Sequence, residues 1–87
     1  SIEKSLEGFK KFPQTLINLK VDNPNKIIIS DKFWEKVTEI ELQLGEDGRV
    51  LIRPSGTEPL IRIMVESKDS GISENLCNSL ADLAQRI

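Results

Sequence analysis

Three observations predict an α+β fold: an antiparallel sheet of three to four strands, two helices packed on one face, and a short lead-in helix before them. First, short apolar runs of period two read as strands: Thr15–Val21, Arg49–Arg53 and Leu60–Glu66. Second, two longer stretches repeat apolar residues at i, i+4, i+7 and i+11, as one helix face does. These are Phe33, Val37, Ile40, Leu44 and Leu76, Leu80, Leu83, Ile87. Third, only a short loop joins the last two strands, which makes them antiparallel neighbours. Stacking both helices on one sheet face buries every apolar stripe and leaves the face carrying Arg62 open.

The elements follow in order. Ile2, Leu6 and Phe9 form a short helical stripe over Ile2–Phe12. Pro13 ends it, because proline disfavours helix at the residue before it. In Thr15–Val21, Ile17, Leu19 and Val21 point one way, and Leu16, Asn18 and Lys20 the other. Asp22-Asn23-Pro24-Asn25 is turn chemistry. Lys26–Ile29 carries three successive isoleucines, whose β-branching predicts a very short strand or an extended lead into the next helix. Ser30 or Asp31 caps that helix, Trp34 flanks its apolar stripe, and Glu35, Lys36, Glu39 and Glu41 form a solvated face. Gly45 suits the left-handed position after the last turn, and Glu46-Asp47-Gly48 turns the chain.

In the next strand Val50 and Ile52 share a side; in the last, Ile61, Ile63 and Val65 share one face and Leu60, Arg62 and Met64 the other. Ser67–Gly71 is polar and turn-forming, and Ser73 is the expected cap of the final helix. Cys77 lies on that helix's apolar stripe and reads as a packed core thiol.

Composition bounds the function. A chain of 87 residues allows one small domain, burying about 60–65% of its unfolded surface. Hydrophobic residues make up 38% and charged ones 30%, which is too apolar for a disordered chain. The net charge of −2 supplies no positive field for nucleic acid, and the basic residues are dispersed without clustered aromatics. No apolar run approaches the length of a membrane span or a signal sequence. Histidine and tyrosine are absent, which removes the commonest general base and metal ligand. The single cysteine excludes an internal disulfide and a Cys-rich zinc site, and fits a reducing cytoplasm. The chain opens on Ser1 and its one methionine is Met64, as expected of a segment of a longer protein.

One stretch carries chemistry: Arg53-Pro54-Ser55-Gly56-Thr57-Glu58-Pro59, the loop between the last two strands. A phosphate needs several donors converging on one small volume. Gly56 lets backbone N–H groups approach an anion, or adopts positive φ to expose them. Ser55 and Thr57 add hydroxyls. Arg53 offers parallel charge-assisted bonds, and Arg62 follows on the next strand. Two prolines, Pro54 and Pro59, limit the entropy lost on binding. A nucleotide-binding P-loop ends Gly-Lys-Ser/Thr and opens a helix; here Glu58-Pro59 and a strand follow, so a phosphate monoester is the better match. The same residue types also build ordinary turns, and Arg53 and Arg62 have Glu58 and Glu66 as available ion-pair partners. No nucleophile–base pair and no metal-ligand spacing is visible, so neither a catalytic nor a metal residue is assigned.

The run from Gly48 to Glu66, GRVLIRPSGTEPLIRIMVE, closely resembles the phosphate-binding loop of the α-D-phosphohexomutases, above all the bacterial phosphoglucosamine mutase branch. Phe12–Val21 resembles the start of that branch's last domain. The resemblance implies that residues 14–87 are the C-terminal domain of a four-domain enzyme, with residues 1–13 a hinge helix from the preceding domain. It implies an isomerase that interconverts glucosamine 6-phosphate and glucosamine 1-phosphate. A phosphoserine elsewhere in the enzyme serves as donor, a bisphosphorylated hexosamine as intermediate, and magnesium is held by carboxylates of another domain. By residue match, Arg53, Ser55, Gly56, Thr57 and Arg62 grip the substrate phosphate that is not reacting. The isolated segment is then inactive. Its partners are the hexosamine phosphate and the other domains, with no nucleic acid and no membrane. Two alternatives remain: the same domain of a phosphoglucomutase or phosphomannomutase, and a non-enzymatic interaction module docking through Trp34 and the helix faces.

Overall fold

The computed structural model describes residues 12–87. Three antiparallel strands, β1 (Gln14–Lys20), β2 (Gly48–Pro54) and β3 (Leu60–Ser67), form a sheet in the order β1-β3-β2. Three helices accompany it: α1 (Pro24–Ile28), α2 (Asp31–Leu44) and α3 (Ser70–Arg86). α3 lies over β1 and β3, α2 lies over β2, and the two helices touch on the same side of the sheet. The α+β architecture with two helices on one face is as the periodicities predict. The expected lead-in helix falls on residues outside the described part.

The core is where the stripes meet. Leu19 from β1, Val50 from β2 and Ile61, Ile63 and Val65 from β3 share one core with Phe33, Val37, Ile40 and Leu44 of α2 and with Cys77, Leu80 and Ala84 of α3. Phe33, Ile61, Ile63 and Val65 are fully buried. α2 begins where Ser30 Oγ accepts the Phe33 N–H at 3.3 Å. It ends at Gly45, whose φ of 60° is left-handed backbone that a side chain resists.

Three local expectations are corrected. Lys26–Ile29 is neither strand nor extended lead: Lys26, Ile27 and Ile28 belong to α1. Asn23 Oδ1 accepts the Asn25 N–H at 3.2 Å, and Pro24 sits at the first turn, where its missing N–H costs nothing. Ile27 is buried in the core, so capping and burial together override the β preference of the isoleucines. Trp34 Nε1–H donates to the Ile28 carbonyl at 2.6 Å, tying α1 to α2.

The final helix is capped by Asp69, not Ser73. Asp69 Oδ1 accepts from the N–H of Gly71 at 2.7 Å and of Ile72 at 3.3 Å, and its charge complements the helix N-terminus. Ser73 is fully buried inside the first turn, with its hydroxyl 3.0 Å from Ser70 O and 2.9 Å from Thr15 Oγ1.

The buried face of α3 is also turned from the expected leucine stripe. Its centre is Ser73, Cys77, Leu80 and Ala84, while Leu76, Leu83 and Ile87 are half-buried flanks. Small side chains at the centre let the helix approach the large residues of β3 closely. Cys77 is a core thiol, as expected, 3.5 Å from Ile63 O and 3.6 Å from Thr15 O.

Two outcomes follow from this packing. Phe33→Ala is expected to cost about 3–5 kcal/mol in denaturant unfolding, whereas Leu42→Ala, on the exposed side of α2, should stay within about 0.5 kcal/mol. Equal costs would mean that α2 is seated on a different face. Burial pushes the Cys77 thiol above its ordinary value of 9.0, partly offset by the backbone amides of Val65 and Ile17. The unfolded chain therefore loses its thiol proton at lower pH than the folded one. Stability should be unaffected below 9.0 and fall as pH rises through the folded value. Denaturant melts across this range should show a smaller fall in Cys77→Val; an identical fall would assign the effect elsewhere.

Candidate anion-binding site

The sheet face away from the helices is organised in cross-strand rows. Alternation along each strand sends Asn18, Arg62 and Arg53 to this face, and all three are exposed. The register then places Asn18 opposite Arg62 and Arg62 opposite Arg53. The next row is apolar, Leu16–Met64–Leu51, and the one beyond it is Gln14–Glu66–Arg49.

Like charges directly opposite one another on a sheet are destabilising. Arg53 and Arg62 nevertheless stand in that relation. Among the described residues, neither guanidinium pairs with a carboxylate. Glu66 instead accepts from Arg49 Nε at 3.1 Å and from Gln14 Nε2 at 3.4 Å. Among the described residues, the one side-chain bond of this pair is Arg62 Nε–H to Asn18 Oδ1, 3.1 Å. The pair therefore keeps its positive charge uncompensated within the described residues.

The loop sits at the end of the same hairpin. Ser55 N–H donates to Leu60 O at 3.0 Å, closing it, and Val21 N–H donates to Pro59 O at 2.9 Å, anchoring its far end to the end of β1. Ser55 Oγ accepts from the N–H of Thr57 at 3.4 Å and of Glu58 at 3.3 Å. Both distances are long for such bonds, so these two N–H groups converge on one point without being strongly held. The Ser55 hydroxyl thus organises the loop as an acceptor, and its own O–H remains a donor.

Gly56 does not use positive φ; among the described glycines only Gly45 does. A Cβ at Gly56 would meet nothing within 4 Å. Its smallness is therefore not required by packing within the chain, and it leaves the loop backbone open to close approach from outside. Thr57 is exposed at the tip. The five residues expected from the sequence are thus brought to one end of one hairpin. Asn18 was not among them, although its place beside Lys20 on the polar side of β1 was readable. Its contact needed the strand order, which puts β1 against β3.

The loop is exposed from Gly56 to Pro59. A groove of about 610 Å³ reaches Pro59, lined also by Lys20, Asp22, Lys26, Arg86 and neighbouring residues, but it lies between the end of β1, α1 and the C-terminal end of α3 and is not lined by Ser55–Thr57. A ligand held at the loop is therefore left exposed on its other sides by this chain. No three His, Cys, Asp or Glu side chains among the described residues converge to hold a metal ion.

The sequence from residue 16 to 83 matches the profile described as the phosphoglucomutase/phosphomannomutase C-terminal domain, which covers well over half the chain. The chain belongs to this family. It is 42% identical over 81 residues to phosphoglucosamine mutase 1 of Shewanella amazonensis, covering 93% of this chain and 18% of that protein. It is 44% identical over 85 residues to the phosphoglucosamine mutase of Leptothrix cholodnii, covering 98% of this chain and 19% of that protein. The chain thus spans about a fifth of the length of the curated relatives it matches.

Two solved structures share the fold. One is an N-acetylglucosamine-phosphate mutase of the α-D-phosphohexomutase superfamily in its product complex (TM-score 0.73, 20% identity, 88% of this chain and 16% of that one). The other is the Aspergillus fumigatus N-acetylphosphoglucosamine mutase in complex with GlcNAc-6P and magnesium (TM-score 0.69, 20% identity, 84% of this chain and 16% of that one). At this identity the likeness is one of fold: a three-stranded antiparallel sheet with helices packed on it.

An anion between Arg53 and Arg62 would relieve their repulsion, so binding and stability are linked. At constant ionic strength, inorganic phosphate is expected to raise the Tm of this chain by several degrees, at about 4–8 °C per kcal/mol for a domain of this size. Arg53→Ala should abolish most of the rise. An equal rise in that variant would show that phosphate acts through the solvent and not at this loop.

Proposed function

We propose that this chain is the substrate-phosphate-binding domain of a phosphoglucosamine mutase, with residues 14–87 as its C-terminal domain and residues 1–13 as the hinge. The observation that carries the reading is the Arg53–Arg62 pair, uncompensated among the described residues and opposed in register beside the loop of Ser55, Gly56 and Thr57. A phosphate dianion is the group that turns this repulsion into attraction: the guanidiniums supply charge-assisted bonds and the loop supplies hydroxyls and N–H groups. Named relatives at 42% and 44% identity support glucosamine phosphate as the sugar.

In this reading the domain holds the phosphate that is not reacting. That grip positions the far end of the sugar for phosphoryl exchange with a phosphoserine in another domain, so that remote binding energy lowers the barrier. The sugar passes through a bisphosphorylated form and returns a phosphoryl group to the serine from its other end. The loop therefore meets the 6-phosphate in one half of the cycle and the 1-phosphate in the other. A site that reads only the anion suits both. Closure of the cleft by domain motion would cover the side of the ligand that this exposed loop leaves open. Magnesium, present in the Aspergillus complex, would neutralise charge on the transferring phosphoryl group. The described residues offer it no ligand set, so no step on this chain runs through it. No described helix is long and apolar enough to cross a membrane, and the proposed setting is the cytoplasm.

A second reading has specific support. The family description names phosphoglucomutase and phosphomannomutase, and a loop that reads only phosphate does not see the sugar. The full-length enzyme should use glucosamine 6-phosphate with higher kcat/KM than glucose or mannose 6-phosphate; the reverse order would favour this second reading. Arg53→Ala should reduce kcat/KM by about 2–4 kcal/mol in transition-state binding, and the chain alone should show no turnover. Full activity in Arg53→Ala would remove the loop from the mechanism.

A further inference from the structure

We infer that Asn18 is a positioning residue of the phosphate site: it holds Arg62 in place while leaving its charge unneutralised. The inference rests on the phosphate-binding reading of the loop and extends it to a third strand.

Arg62 carries a long side chain on an exposed face, directly opposite a second arginine. Left alone, mutual repulsion would turn the two guanidiniums apart, and a phosphate would have to gather them at an entropic cost. The strand order prevents this. β3 is central, so Arg62 has a cross-strand neighbour on each side: Arg53 on β2 and Asn18 on β1. Asn18 Oδ1 accepts the Arg62 Nε–H at 3.1 Å. That bond engages the guanidinium at its stem-side nitrogen, leaving the two Nη groups as the fork that fits phosphate oxygens.

The residue type matters as much as the place. A carboxylate at position 18 would accept the same bond more strongly, but it would pair with the Arg62 charge. An amide fixes the direction and leaves the charge for the ligand. The nearby acidic group of this face illustrates the contrast: Glu66 ion-pairs with Arg49, which lies two rows from the loop. The arginine beside the loop has the neutral partner, and the distant one has the charged partner.

This distinguishes positioning from a merely structural hydrogen bond. If the Asn18–Arg62 contact only braces the sheet, Asn18→Asp should preserve or improve function along with stability. If Asn18 presents a charged Arg62, Asn18→Asp should harm binding while keeping the fold at least as stable.

The test is made in the full-length enzyme, measuring kcat and KM for glucosamine 6-phosphate together with thermal midpoints, with Arg53→Ala as reference. Asn18→Ala is expected to lower kcat/KM about threefold, and Asn18→Asp about tenfold or more, by weakening a charge-assisted contact. The loss should lie chiefly in KM, with the Asp variant's thermal midpoint unchanged or raised. Addition of inorganic phosphate should stabilise the Asp variant less than the parent. The inference is overturned if Asn18→Asp matches the parent in kcat/KM, or if losses in both variants simply track lowered thermal midpoints. The controls separate two failures. Loss in Arg53→Ala with none in the Asn18 variants removes Asn18 alone; no loss in any of the three removes the phosphate site itself.

Discussion

The register of β3 between its two neighbours is the constraint on which this domain depends. Side chains alternate along a strand, so a slip of one residue would exchange its two faces. In the observed register Ile61, Ile63 and Val65 are fully buried under the helices, and Arg62 is held out on the open face between Asn18 and Arg53. Core and site are therefore set by one alignment. The apolar face makes it firm: moving three large residues from the core to water would cost several kcal/mol, at about 1.5–3 kcal/mol each. The arginines are brought together by the hydrophobic energy of the residues between which they alternate.

That arrangement explains how a small domain sustains an unfavourable charge pair. Repulsion between two exposed guanidiniums is screened by water and salt, and is small beside the burial of the strand's other face. The cost is tolerable in the fold, and in the proposed function an entering anion would recover it. The same logic governs the loop. Ser55 Oγ draws in two backbone N–H groups at long distance, and the Val21–Pro59 bond ties the loop to the end of β1. The loop is thus preorganised, and its donors are held weakly enough to be taken over. Helices α2 and α3 contribute no side chain to this face; they hold the sheet that does.

Much of this was legible from local pattern. Strands β2 and β3, the α2 stripe and the loop chemistry follow from periodicities and residue types a few positions apart. The failures share one cause, competition between local signals that burial decided. At Ile27–Ile29, three β-branched residues faced an Asn-Pro cap, and the burial of Ile27 settled the contest for helix at Ile27 and Ile28. In α3 the leucines suggested the buried face, yet of them only Leu80 is fully buried, and the helix rests on it together with Ser73, Cys77 and Ala84, whose small side chains let it reach the bulky face of β3. Ser73 looked like a cap because serines often cap, but Asp69 lay earlier and brought a charge.

By itself the sequence determined the alternation of each strand, the apolar faces of the helices, the hydroxyls and glycine of the loop, and the family to which they belong. Those properties reside in short spans of chain, where steric periodicity and hydrogen-bonding groups act directly. Only the tertiary structure decided that β1 lies against β3, which puts Asn18 beside Arg62 across 44 positions of sequence. Strand order depends on how the whole set of apolar faces closes over one core, and no local spacing encodes it.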